Sequence, residues 1–175
     1  MIMKRLLLLR HGKSDWSTPG LDDAERPLAA RGERAAGRMG GRLAQAALTL
    51  PALDLVLCSP ARRARETLAL IRPALPEAVP VHEEAGLYVF EPDPLLGRLR
   101  ALEESLAAVL VVGHNPALEQ VARRLAGPGS DPKALSRLAI KFPTAALAEL
   151  WIEGPWSTLA EAPSRLIAFD RPRDL

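Results

Sequence analysis

Short runs of consecutive apolar residues alternate along this chain with longer stretches in which apolar residues recur every three or four positions. Residues 6–9 and 107–112 are continuous apolar runs and 53–58 is a run broken only by Asp54, the pattern of strands buried on both faces. The run at 107–112, rich in valine and leucine, is the candidate for the centre of a sheet. Residues 145–152 and 165–169 predict two later strands. Between the runs, Ala35, Met39, Leu43 and Ala46 fall at helical spacing, as do Ala61, Ala64, Leu68 and Ile71. Leu95, Leu99, Leu102 and Leu106 form a third stripe, and Leu118, Val121, Ala122 and Leu125 a fourth. Proline and glycine punctuate the connections at 76–80, 92–94 and 127–132. Strands alternating with helices predict an α/β fold with a mostly parallel central sheet. No repeat or composition break divides it, so residues 1–175 read as a single domain.

Composition narrows the function without naming it. Hydrophobic residues make up 48% of the 175 and charged ones 25%, an ordinary globular balance. With 23 basic and 21 acidic residues the net charge is +2, too even for a general nucleic-acid or membrane-surface binder. Any affinity for anions must come from a local cluster. The one cysteine, Cys58, cannot form an intramolecular disulfide, which fits a reducing compartment. The apolar opening is cut short by Arg10-His11 and lacks a small-residue cleavage site, so a cytoplasmic protein is expected.

The chemistry gathers where three predicted strands end. The first is followed by Arg10-His11-Gly12, the second by Ser59-Pro60 and a helix carrying Arg62 and Arg63, the third by Gly113-His114-Asn115-Pro116. Ser59-Pro60 and Asn115-Pro116 both read as an N-cap followed by proline in the first helical position. In open α/β sheets ligands bind beyond the C-terminal strand ends, where helix N-termini offer free N–H groups to an anion. Arg10 with Arg62 or Arg63 can hold phosphate oxygens bidentately. An imidazole among them, His11 or His114, is a nucleophile or a proton donor. Gly12 would let the backbone pass close to a ligand. A zinc site at the two histidines is disfavoured by the adjacent arginine and by the lack of further ligands at suitable spacing. His82 reads as a surface or structural histidine, and Arg62 and Arg65 as a solvated helix face.

These segments resemble the histidine phosphatase superfamily, which includes phosphoglycerate mutases and acid phosphatases. Leu8-Leu9-Arg10-His11-Gly12 resembles its RHG signature. Cys58-Ser59-Pro60-Ala61-Arg62-Arg63-Ala64-Arg65-Glu66-Thr67 resembles the second block, where Arg-Ala-x-x-Thr selects Arg63. Val112-Gly113-His114-Asn115-Pro116 resembles the third. Asp23-Ala24-Glu25-Arg26-Pro27-Leu28 with Arg31-Gly32, and Phe142-Pro143-Thr144-Ala145-Ala146, are similar to the short SixA-type branch, the phosphohistidine phosphatases.

The resemblance implies a three-layer, phosphoglycerate mutase-like α/β/α fold and a two-step hydrolysis without cofactor or metal. In it His11 attacks phosphorus, while Arg10, Arg63 and His114 (with Gly12) hold the phosphoryl oxygens. It implies a phosphorylated protein or small phosphorylated molecule as partner, phosphohistidine first among the substrates, and no nucleic acid or membrane. The general acid stays open between Glu83, Glu84 and none. Two alternatives stand beside this expectation: a small-molecule phosphomonoesterase or mutase of the same superfamily, and a catalytically idle phosphate-binding module.

Overall fold

A computed structural model describes residues 3–46 and 52–175. Six strands, β1 (Met3–Arg10), β2 (Leu55–Cys58), β3 (Val81–Glu83), β4 (Ala108–Gly113), β5 (Leu147–Glu153) and β6 (Ser164–Asp170), form one sheet in the order β3-β2-β4-β1-β5-β6. The first four named in that order run parallel, and β5 and β6 add antiparallel at one edge. Five helices cover it: α1 (Ala30–Ala46), α2 (Arg62–Ile71), α3 (Pro92–Arg100), α4 (Ala117–Leu125) and α5 (Pro132–Ile140).

Strand side chains alternate between faces, and the apolar runs feed both. Leu6 and Leu8 of β1, Leu55 and Leu57 of β2, and Val109 and Val111 of β4 pack with α3, α4 and α5. Leu7 and Leu9, Val56 and Cys58, and Leu110 and Val112 pack on the other face with Met39 and Leu43 of α1 and Ala64, Leu68 and Ile71 of α2. This gives three layers around two cores, a fold of the phosphoglycerate mutase-like α/β type. No described helix is long and apolar enough to cross a membrane.

Several local expectations are corrected. Strand β3 carries only exposed side chains at the sheet edge, so it has no apolar run to announce it. Helix α5 has no counterpart among the predicted stripes, and it takes Pro132 from the end of the connection expected at 127–132; Asp131 caps it, accepting from the Ala134 N–H at 2.7 Å. Helix α3 ends at Arg100, and Leu102 is buried from the turn beyond it. In α1 the alanine buried in the first turns is Ala36 rather than Ala35. The N-terminal caps also move. Helix α2 starts at Arg62 with Ala61 as its cap, and α4 at Ala117 after a cis Asn115–Pro116 bond, with Pro116 as its cap; neither cap residue supplies a side-chain bond. Asn115 still serves the helix from further out, its Oδ1 accepting from the Glu119 N–H at 3.2 Å. Ser59 Oγ accepts from the Ala61 N–H at 3.2 Å just before α2, and is shared with His114 Nε2 at 2.7 Å.

Candidate active site

The central order β2-β4-β1 places three strand ends side by side, with Cys58 opposite Val112 and Arg10 opposite Gly113. Ser59, His114 and His11, each the first residue beyond its strand, are therefore neighbours. Backbone bonds from His11 N to Gly113 O (3.1 Å) and from Ser59 N to Val112 O (3.0 Å) extend the ladder one step into the site.

The two imidazoles are buried, with ring centroids 5.1 Å apart, and Arg63 reaches between them from the first turn of α2. Their partners set the tautomers. His11 Nδ1–H donates to the Gly12 carbonyl at 2.7 Å, leaving its Nε2 lone pair to accept from Arg63 Nε at 3.3 Å. His114 Nε2–H donates to Ser59 Oγ at 2.7 Å, leaving Nδ1 to accept from Arg63 Nη2 at 3.3 Å. Both inward-facing nitrogens thus carry lone pairs. Burial is the main reason the rings are neutral: it pushes His11 down to about 4 and His114 to about 3. Arg63 and Arg10 add to both shifts, His11 adds to that of His114, and the Gly12 bond works against the shift at His11. An imidazole with a fixed Nδ1–H and an unprotonated Nε2 is a nucleophile at neutral pH.

Arg10, from the end of β1, donates through Nη1 to the Phe142 carbonyl at 2.8 Å, and Asn115 Nδ2 donates to the same oxygen at 3.2 Å. Its Nε is buried without a protein partner. A buried guanidinium donor left unpaired is costly, and an anionic oxygen would relieve it. Of the neighbouring arginines, Arg63 is 4% exposed and turned inward, whereas Arg62 is on the outer face, paired with Glu66 at 2.7 Å.

The other predicted residues divide. Gly12 spends its N–H on Thr67 Oγ1 (2.9 Å), and a Cβ there would lie 2.7 Å from the Gly32 carbonyl oxygen. Its bareness thus serves packing against the start of α1. Glu84 is gripped by Arg98 through two bonds of 2.7 and 2.8 Å, and those bonds hold its carboxyl below the usual range. Glu83 is exposed on the edge strand. Neither glutamate bonds to the His11–Arg63–His114 cluster.

The carboxylate that does is Asp23, 2.9 Å from Arg63 Nη2 and hydrogen-bonded by the Tyr88 hydroxyl. Burial alone would raise its carboxyl, but the Tyr88 and Arg63 bonds outweigh burial and hold it below the ordinary carboxylate range. Tyr88 and Phe90 line His114, with centroids 5.3 and 5.2 Å from its ring. Sequence reasoning missed Asp23, Tyr88 and Phe90 as site residues, as well as the Ser59 hydroxyl as the brace of His114. Of these, Asp23 and Ser59 lay in segments marked by resemblance, whereas Tyr88 and Phe90 did not. Among the described residues no group of three or more His, Cys, Asp or Glu side chains is placed to hold a metal ion.

Comparison with known proteins meets this geometry from outside. The profile of the histidine phosphatase superfamily (branch 1) matches residues 6–88, which contain Arg10, His11 and Arg63. An uncharacterized protein of Mycobacterium leprae is 38% identical over 168 residues, 94% of this chain and 100% of that one. A structure assigned as a phosphohistidine phosphatase SixA from Nakamurella multipartitia is 31% identical, with a TM-score of 0.79 over 98% of both chains. The protein histidine phosphatase SixA complexed with tungstate shares the fold at 23% identity, with a TM-score of 0.71 over 97% of this chain and 98% of that one. Two histidines and an arginine fork at adjacent strand ends, in a chain alike from end to end to such proteins, leave one assignment: it is a phosphatase of the histidine phosphatase superfamily, in the SixA-like branch.

Proposed function

We propose that this phosphatase works through a phosphohistidine at His11 and acts on phosphorus–nitrogen bonds, foremost phosphohistidine in proteins. In the first step the His11 Nε2 lone pair attacks phosphorus as the bond to the leaving nitrogen breaks. In the second, water attacks the phosphohistidine, regenerates His11 and releases inorganic phosphate. Arg10 Nε, the inner edge of Arg63, and His114 (protonated at Nδ1 once a dianion is bound) take up the charge on the equatorial oxygens. The observation carrying the nucleophile is the neutral, buried His11 with an unprotonated Nε2 facing Arg63 and Nδ1–H tied to Gly12.

The preference for P–N bonds is supported by the carboxylates. Asp23, bonded to the cluster, is held ionised by Tyr88 and Arg63, and Glu84 is held ionised by Arg98. Neither has a proton to give at neutral pH. An alkoxide needs a general acid, whereas imidazole, with a conjugate-acid pKa of about 6.5, leaves readily when protonated by solvent. The exposed Phe90 ring, edge-on to Tyr88 at 5.2 Å, offers a flat apolar surface beside His114 against which a planar leaving group can lie. The single cysteine supports placement in a reducing compartment such as the cytoplasm.

The test compares kcat/KM for a phosphohistidine protein, a phosphoramidate, an aryl phosphate and 3-phosphoglycerate with one enzyme preparation, and traps the intermediate by a quench that avoids acid. The expected order places P–N substrates first, aryl phosphates next and alkyl esters last, with label on His11 that His11→Ala abolishes. A tenfold advantage for 3-phosphoglycerate, about 1.4 kcal/mol in the barrier, would reverse the substrate reading. Label on any other residue would end the His11 mechanism.

A further inference from the structure

A guanidinium has five N–H donors in one plane, and at Arg63 four are accounted for. The edge formed by Nε and one Nη2–H faces His11 Nε2 and His114 Nδ1, both at 3.3 Å. The end formed by Nη1 and the other Nη2–H faces Asp23, donating to its carbonyl oxygen at 2.7 Å and to its carboxylate Oδ2 at 2.9 Å. We propose that Asp23 is a positioning residue: it clamps the outer end of Arg63 so that the inner edge is presented, already in plane, to the phosphoryl group in flight.

Asp23 is itself held. It begins a turn of 3-10 helix, Asp23–Glu25, whose carbonyl at Asp23 also accepts from Arg26 N at 3.2 Å. Tyr88 donates its hydroxyl to the same Oδ2 that Arg63 grips. The loop returns to α2 through Leu28 N, which donates to Glu66 Oε2 at 2.7 Å, one helical turn beyond Arg63. Helix α2 therefore grips the 23–28 segment at two points, and only one involves a catalytic side chain. An arginine free to rotate loses the two-point match to phosphate oxygens on which its advantage over a lone charge depends.

A clamp and a counter-charge differ in what they predict. As an anion beside the pocket, Asp23 opposes binding of a ground-state dianion; as a clamp, it favours the transition state, where the equatorial oxygens need the inner edge in register. Removing it should leave ground-state affinity unchanged or tighter while weakening transition-state binding. Asparagine keeps an oxygen for Nη2 and loses the charge, so it should preserve the clamp.

The inference rests on the phosphoryl-transfer reading, and its test does not require turnover. Binding of inorganic phosphate and of vanadate, which takes up five-coordinate geometry with a nucleophile, is measured for wild type, Asp23→Ala, Asp23→Asn and Tyr88→Phe. Asp23→Ala should weaken vanadate tenfold or more, with phosphate binding no weaker than wild type. Asp23→Asn should stay within about threefold for vanadate. Tyr88→Phe should cost less than Asp23→Ala and add nothing on top of it, since Tyr88 acts through Asp23. On a phosphoramidate, kcat should fall with Asp23→Ala while KM does not rise. The proposal is overturned if Asp23→Ala changes vanadate binding less than twofold, if Asp23→Asn is as damaging as Asp23→Ala, or if both anions weaken together. A wild type that binds both anions yet hydrolyses nothing refutes the proposed function and leaves the vanadate comparison standing.

Discussion

Acidification from pH 7 to pH 5 should destabilise this protein through its two active-site histidines. In the folded chain His11 is pushed down to about 4 and His114 to about 3, mainly by burial. Unfolded, each imidazole titrates near 6.5. Below that value the unfolded chain binds two protons that the native chain refuses, so stability falls as pH falls. Each ring contributes a loss of about 2 kcal/mol by pH 5. Together that is about 4 kcal/mol, a large fraction of an ordinary domain's stability. The loss levels off as the native rings themselves take protons, and below pH 5 the depressed carboxylates, Asp23 and Glu84 among them, continue the decline as they protonate. Urea unfolding at pH 7, 6 and 5 in a phosphate-free buffer measures the slope for wild type and for His11→Asn/His114→Asn. The double variant should lose about 4 kcal/mol less over this interval, and His82, common to both chains, cancels in the difference. Added inorganic phosphate should flatten the wild-type slope, because a bound anion favours the imidazolium. A wild-type loss below about 1 kcal/mol, or a double variant as acid-sensitive as wild type, would refute the claim that the rings are held neutral by burial.

Arg63→Ala should cost about 2–4 kcal/mol in kcat/KM, by removing charge-assisted donors at the developing charge. Arg62→Ala, losing only an exposed pair with Glu66, should change kinetics less than twofold; steady-state kinetics decide, and the reverse ranking would put the phosphate ligand one residue earlier. Gly32→Ala would place a Cβ 2.3 Å from the Lys13 carbonyl oxygen and should destabilise by about 1–3 kcal/mol or more. Gly37→Ala, in the same helix with nothing within 4 Å, should stabilise by up to about 1 kcal/mol; equal melting temperatures for the two would refute the packing argument. Turnover should survive exhaustive chelation, and tungstate at 100 times its Kd should stabilise the fold by about 2.7 kcal/mol. Activity lost to chelation and restored by a divalent ion would overturn the metal-free mechanism.

His11 and His114 were legible because each lies one residue beyond an apolar run, and a buried parallel strand is the least ambiguous local pattern in such a chain. Arg63 was separable from Arg62 only through the resemblance of Arg63-Ala64-x-x-Thr67 to the family's second block; in the structure Arg63, Ala64 and Thr67 are buried, while Arg62 faces outward with Glu66. Asp23 was not legible as a site residue. It lies 40 positions from Arg63 in a segment without periodicity, and tertiary folding alone brings the two together. Tyr88 depends likewise on a short 3-10 turn, and the Phe142 oxygen that anchors Arg10 is a backbone atom that no side chain announces. The proline signals were right about the helix starts but not about the cap positions. Ser59 Oγ accepts from the Ala61 N–H while also bracing His114, and Asn115 bonds the Glu119 N–H of α4 from one residue outside the cap. Asp131-Pro132, a true cap, stood behind Gly127-Pro128-Gly129 and passed as loop.

The arrangement is unfavourable to the empty protein in a way that serves its chemistry. Arg10 and Arg63 converge on two imidazoles, each arginine disfavours a proton on both rings, and Arg10 Nε has no partner. A buried arginine is ordinarily paired with a carboxylate. Among the described residues only Asp23 bonds to it, and it takes the end of Arg63 that points away from the imidazoles. A second carboxylate on the inner edge would stabilise the fold while repelling the phosphate dianion and competing for the donors it needs. One anion outside the pocket is sufficient to orient Arg63 and too little to satisfy the site. The remaining positive potential is then available to the phosphoryl group, most of all when its charge spreads over the equatorial oxygens.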